Sequence, residues 1–241
     1  MVDAIFAEPR LAGVYDALDA GRGDLRHYVA MVEEFGAQQV LDVGCGTGEL
    51  ACRLARIGID VVGVDPAGAS LEVAKSKEYA DRVRWIHGDA TTLPPLEADL
   101  AVMTGNVAQV FLTDEEWSAT LTGVHRALKP GGRFVFETRD PARRGWEVWT
   151  RDRTHAVTDV GGGESVESWT ELTRVEPPFV SFRGTFVFSS DGAVLTSDST
   201  LRFREREELE ESLRAAGFAV DEVREAPDRP GLEFVFVSSK R

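Results

Sequence analysis

"VLDVGCGTGELACRLA", residues 40–55, decides the fold. An apolar run ends in Asp42, glycines follow at positions 44, 46 and 48, and a helical pattern begins. Glycine lets a backbone approach a ligand closely and take positive φ. A helix starting near Thr47 adds free N–H groups and a partial positive charge. Leu50, Leu54 and Ile57 share one face of that helix, with Glu49, Arg53 and Arg56 facing water. The stretch therefore reads as strand, close-approach turn and amphipathic helix.

Working outward, "DVVGVD" at 60–65, "RVRWIHG" at 82–88 and "ADLAVMTG" at 98–105 read as further buried strands, and "RFVFET" at 133–138 as a fifth. Before the fifth, "TDEEWSATLTGVHRALKPGG" spells a helix. Thr113 and Glu116 have capping-box spacing. Trp117, Leu121, Val124 and Leu128 form its apolar stripe, and Pro130 with Gly131 and Gly132 stops it. Residues 24–35 predict another helix, capped by Asp24. Strands alternating with helices imply a parallel sheet, with any ligand outside the carboxyl ends of the strands.

The rhythm changes after Asp140. Residues 146–203 hold no convincing helix. Val180, Phe182, Phe186 and Phe188 keep to alternate positions, "SSDG" at 189–192 is a hairpin signal, and "AVLTSDSTLRF" supplies a partner strand. "ESVESWTELTRV" adds another strand. Residues 141–203 are thus expected as an antiparallel β insert, and residues 1–35 as an N-terminal helical cap. "EREELEESLRAAGF", closed by Gly217, is a helix, and "AVDEVRE" and "LEFVFVSS" are two final strands.

Composition narrows the function. With 41 acids against 27 basic residues the net charge is −14, which disfavours a nucleic-acid partner and suits a small-molecule one. Two cysteines, Cys45 and Cys52, make neither a disulfide framework nor a zinc site. "MVDAIFAEPR" lacks a secretory pattern, and no apolar run reaches membrane-spanning length. A cytoplasmic protein, without membrane or nucleic-acid partner and without a metal, is the expectation.

Asp65 ends the second strand, where a carboxylate accepts from both hydroxyls of a ribose. Asp89 follows the third strand in "HGDA". In order and spacing, "VLDVGCGTG", "GVDP", "GDA" and "LKPGG" resemble the class I S-adenosylmethionine-dependent methyltransferases. The resemblance covers residues 36–140, and the closing helix and strands more loosely. It implies a single Rossmann-like α/β domain over 1–241, its doubly wound, mostly parallel seven-stranded sheet ordered 3-2-1-4-5-7-6 with strand 7 antiparallel. It also implies S-adenosyl-L-methionine as cofactor, S-adenosyl-L-homocysteine as product, and methyl transfer to N or O, less readily C, of a small molecule.

By position, the resemblance places Asp42 and the turn Gly44, Cys45, Gly46, Thr47 and Gly48 at the methionine end of the cofactor. Asp65, followed by Pro66, meets the ribose, and Asp89 with Ala90 the adenine. Thr104 and Asn106 lie beside the sulfonium. Tyr15, Asn106 and His155 are candidate catalytic residues; Tyr15, Arg139 and Trp146 are candidate acceptor contacts. The Asn/Asp-Pro-Pro-Tyr/Phe motif of base and glutamine methylating enzymes is replaced by "MTGNVAQVF". A non-catalytic S-adenosylmethionine-binding sensor or partner protein remains an alternative. A nicotinamide-dependent oxidoreductase is a further one, although its third glycine would fall one residue later. A monomer or homodimer is expected.

Overall fold

The computed structural model describes residues 2–241. Three N-terminal helices, α1 (Ala4–Ala7), α2 (Pro9–Leu18) and α3 (Leu25–Glu34), precede β1 (Gln39–Val43). Then come α4 (Glu49–Arg56), β2 (Asp60–Asp65), α5 (Gly68–Lys75), β3 (Val83–His87), β4 (Ala98–Met103), α6 (Asp114–Ala127) and β5 (Leu128–Arg139). A one-turn helix, α7 (Arg151–Thr154), leads into β6 (Ala156–Gly161), β7 (Glu164–Glu176), β8 (Phe179–Phe188) and β9 (Val194–Arg202). The chain closes with α8 (Arg206–Ala215), β10 (Phe218–Glu225) and β11 (Glu233–Lys240).

Seven strands form one sheet in the order β10-β11-β5-β4-β1-β2-β3. The β1–β5 pairings are parallel, and β11 runs antiparallel between β5 and β10. This is the 3-2-1-4-5-7-6 order that the resemblance implied.

Period-two alternation sorts the strand side chains onto two faces. Leu41, Val43, Phe134 and Phe136 pack with Trp117 and Leu121 of α6 and Leu209 and Leu213 of α8. Val40, Leu100, Val102 and Val135 pack with Tyr28 and Val32 of α3 and Leu50 and Leu54 of α4. The same alternation puts Asp42 and Glu137 on the α3/α4 side.

Four strands form a separate antiparallel sheet, β6-β7-β8-β9. One end of its inner face, Val166 and Phe188, packs on Leu11 of α2. The other, Val180 and Leu201, packs on Trp146 and Phe203. The row between them, Thr170, Gly184 and Ser197, is small and polar.

Several local expectations need correction. Asp24 does not cap α3; its carboxylate takes the Arg22 guanidinium instead. Ile57 is the residue after α4 and is 48% exposed, so the buried stripe is completed by Ala51 and Ala55. The capping box of α6 forms as expected, but the helix ends at Ala127. Leu128 already begins β5, whose first residue pairs with Ala98, so the Pro-Gly-Gly lies within the strand's entry. The stretch 146–203 contains α7 and a 3-10 turn at Gly145–Val148, and the edge strand β6 was not anticipated.

One close approach fixes how α6 meets the sheet edge. A Cβ on Gly123 would collide with the backbone carbonyl of Ala90, the residue after Asp89. Gly123→Ala should therefore destabilise by about 1–3 kcal/mol through overpacking, although alanine is the better helix former by about 1 kcal/mol. Chemical denaturation checks this; a variant as stable as wild type would mean the backbones are not held that close.

Candidate functional site at the carboxyl edge of the sheet

The Gly44–Gly48 turn hangs from the second strand. The N–H groups of Gly44 and Cys45 both donate to the Val64 carbonyl, and all three glycines take positive φ. Two of them also answer to packing: a Cβ on Gly44 would meet Val107 at 2.7 Å, and one on Gly48 would meet Trp85 at 2.5 Å. The middle glycine, Gly46, has nothing within 4 Å on its Cβ side. The turn is thus packed at both ends and open in the middle.

Asp65 braces this turn. Its Oδ2 accepts from the Gly46 N–H at 2.8 Å and its Oδ1 from the Ala67 N–H at 2.7 Å. Burial raises its pKa, against these two hydrogen bonds. Asp42 is buried without a partner for Oδ1 among the described residues. Burial, helped by the nearby Asp65 charge and opposed by Arg22, pushes its carboxyl up to about 7. Burial also raises the Cys45 thiol. Asp89 spends its Oδ1 on the N–H and hydroxyl of Thr91, capping a 3-10 turn that starts at Ala90. His87 Nε2 lies 3.0 Å from the Pro66 carbonyl.

After β4 the chain turns sharply through Thr104, Gly105 and Asn106, the last in the left-handed region at φ 61. Glu137 of β5 holds this turn. Its carboxylate accepts from the Gly105 N–H at 2.6 Å, the Asn106 N–H at 3.3 Å and the Tyr28 hydroxyl of α3. Burial raises the pKa of Glu137, and burial with the Glu137 charge raises that of Tyr28. Glu233 of β11 accepts from Asn106 Nδ2 at 3.1 Å and Arg229 Nη1 at 2.7 Å. Arg139 reaches Gln109 Oε1 at 2.8 Å and lies over the Trp149 ring. Of these, Tyr28, Gln109, Glu137 and Glu233 were not singled out from the sequence. For Glu137 and Glu233 the signal was an acid in or at the start of an apolar strand, "FVFET" and "LEFVF".

The N-terminal helices lie across this edge. Thr47 Oγ1 donates to Asp16 at 2.6 Å, and Asp16 also pairs with Lys77 at 2.5 Å. Ser70 Oγ donates to the Phe6 carbonyl at 3.0 Å, and the Ile5 N–H donates to Ser197 of the insert at 3.0 Å. Arg10 reaches Asp191 and Glu164 on the same insert. Tyr15 packs against Phe6, its phenol pushed up to about 12 by burial.

The remaining two candidates pack against the insert. His155 is 42% exposed and pairs with Glu167, stacked on Trp169 of the insert. Trp146 packs edge-on against Phe203. A hollow of about 300 Å³, lined by Asp60, Arg84 and Glu97 among others, lies at the opposite, amino edge and touches none of the residues above.

Residues 40–132 match the family model described as a methyltransferase domain. The chain is 35% identical over 130 residues to the cypemycin N-terminal methyltransferase of Streptomyces sp, covering 54% of this chain and 53% of that one. It thus spans about half the length of that relative. An amino pentose methyltransferase of Micromonospora echinaspora, solved with S-adenosylmethionine bound, superposes with a TM-score of 0.72 at 22% identity over 95% of this chain and 97% of its own. A sugar N-methyltransferase of Streptoalloteichus sp gives 0.74 at 22% over 94% and 92%. The fold is that of the class I S-adenosylmethionine-dependent methyltransferases.

Because the folded pKa of Asp42 lies above its ordinary value of 3.8, folding takes up a proton between about 4 and 7. That stabilisation is complete below pH 4 and is lost as pH rises through about 7. The melting temperature of wild type should therefore fall relative to Asp42→Asn across this window. Parallel curves for the two proteins would show that Asp42 is not held protonated.

Proposed function

We propose that the chain is an S-adenosylmethionine-dependent methyltransferase acting on a nitrogen, or less readily an oxygen, of a small molecule. The observation that carries this is the buried, unpartnered Asp42 carboxylate on the strand that leads into a turn left open at Gly46. The donor set fits the cofactor. Asp42 is an acceptor for its ammonium group, and the Gly44–Gly48 backbone leaves room for its methionine end. Asp65 offers carboxylate oxygens to ribose hydroxyls, and Asp89 and Ala90 stand where an adenine edge would lie. When bound, the cofactor supplies an electrophilic methyl on sulfur, taken by a nucleophile's lone pair while the carbon–sulfur electron pair stays on sulfur.

The protein's part is orientation and exclusion of water. Tyr28 and Glu137 hold the Gly105–Asn106 turn at the edge, and Asn106 and Arg139 face the acceptor. Tyr15 and the helices above it shield the edge from solvent. An amine acceptor enters with its proton removed and needs no strong base at the site. Nitrogen is favoured because the similar proteins named above include a sugar N-methyltransferase.

The test is calorimetry with S-adenosylhomocysteine, then turnover on a panel of amines and alcohols. Asp65→Ala should weaken S-adenosylhomocysteine by about 1.5–3 kcal/mol, the scale of hydrogen bonds to a charged group. An unchanged dissociation constant removes Asp65 from the site. Tight binding with no turnover on any acceptor would favour a sensor.

A further inference from the structure

We infer that the turn after β4 reads a vicinal amino alcohol: Asn106 Oδ1 accepts from the amine and Gln109 Nε2 donates to the neighbouring hydroxyl oxygen. This names the acceptor class within the methyltransferase reading and rests on it.

The argument starts from two leftover atoms. Asn106 is 3% exposed and Gln109 1% exposed. Asn106 Oδ1 and Gln109 Nε2 have no hydrogen-bond partner among the described residues. Their orientations are fixed by chemistry. Ionised Glu233 only accepts, so the Asn106 atom 3.1 Å from it is Nδ2. The Arg139 guanidinium only donates, so the Gln109 atom 2.8 Å from it is Oε1. A free acceptor and a free donor are what remain, and leaving either buried and unpaired is costly.

The two atoms belong to one assembly. Arg139 Nε lies 3.7 Å from the same Glu233 Oε1 that takes Asn106, which closes a ring Asn106–Glu233–Arg139–Gln109. The Gln109 N–H donates to the Asn106 carbonyl at 3.0 Å within the 3-10 turn Val107–Val110. Residues three apart lie on one side of such a turn. Glu137 and Glu233 fix the Asn106 end, through the Asn106 N–H and its amide. A lone acceptor would suit any amine. An acceptor and a donor on one side of a single turn suit a ligand with adjacent donating and accepting atoms.

The charges orient that ligand. Asn106 touches the two buried carboxylates, so the amine belongs there. Gln109 touches a cation, so the electron-rich oxygen belongs there. A diol could also meet both atoms, so the amine assignment follows from nitrogen being the methyl acceptor in the reading above.

The probe is trans-2-aminocyclohexanol, compared with cyclohexylamine and trans-1,2-cyclohexanediol by NMR titration of the S-adenosylhomocysteine-loaded protein. The amino alcohol should bind about tenfold tighter than cyclohexylamine, the share of one good hydrogen bond. Gln109→Leu should reduce that ratio to about threefold or less. Gln109→Glu, which keeps the shape and removes the N–H, should do the same if the leucine variant does not fold. Asn106→Ala should weaken the amino alcohol and cyclohexylamine alike. Equal affinities in wild type, or a preference that survives both Gln109 variants, overturns the inference. A diol bound as tightly as the amino alcohol overturns the amine assignment. A wild type that takes up no S-adenosylhomocysteine overturns the methyltransferase reading, and this inference with it.

Discussion

Glu137 is the group on which the carboxyl edge depends. One buried carboxylate holds the hydroxyl of a helix outside the sheet core, Tyr28, and two backbone N–H groups of the turn after β4. It thereby fixes where α3 stands and how the chain leaves β4. A carboxylate buried at this depth is costly unless its lone pairs are satisfied. Here burial still pushes the Glu137 pKa up, so the compensation is incomplete. The structure concentrates such acids at one edge: Asp42, Asp65, Glu137 and Glu233 are all buried there. They are not all compensated alike. Asp65 and Glu137 take backbone N–H groups, Glu233 takes arginines, and Asp42 Oδ1 is left over.

The second constraint is the N-terminal cap. Its helices are short, and α1 buries no side chain fully. While α3 is anchored in the sheet core, α1 and α2 add polar links to two bodies, Thr47 and Ser70 on the sheet domain and Ser197, Glu164 and Asp191 on the insert. Exposed or half-exposed links of this kind are individually weak. The apolar anchor of α1 and α2 is Leu11 against Val166 and Phe188 of the insert, with Ile5, Val14 and Leu18 packed around it. Insert and cap depend on each other, because the apolar face of each covers the other.

The sequence made the sheet legible because a buried parallel strand leaves a continuous apolar run. The Gly44–Gly48 turn was legible because a close-approach turn between a strand and a helix needs residues without side chains. Asp89 was legible as a position, and its carboxylate caps the following turn, a role aspartate commonly takes. The failures have local causes. Asp24 had a cap's position, but Arg22 two residues back competes for the same carboxylate. Leu128 kept the helical spacing, yet the neighbouring β4 offers strand pairing at Ala98, which tertiary context favours. β6 was missed because an edge strand with mostly exposed side chains leaves no apolar pattern. Glu137, Glu233 and Gln109 were invisible because their significance is not local. Their partners lie 32, 127 and 30 residues away.

Under the proposed methyl transfer, the acid-rich edge also bears on why no conspicuous base is needed. An ionised base in this environment would add one more buried charge to a set already short of counter-charge, and its pKa would rise further. The chain places the neutral amides of Asn106 and Gln109 there instead, each hydrogen-bonded to a charged neighbour. Glu233 and Arg139 neutralise one another while turning Asn106 and Gln109. Two ions arranged this way cost less to bury than either alone. They leave the free atoms of the turn, Asn106 Oδ1 and Gln109 Nε2, uncharged, which suits the neutral amine of the proposed reaction.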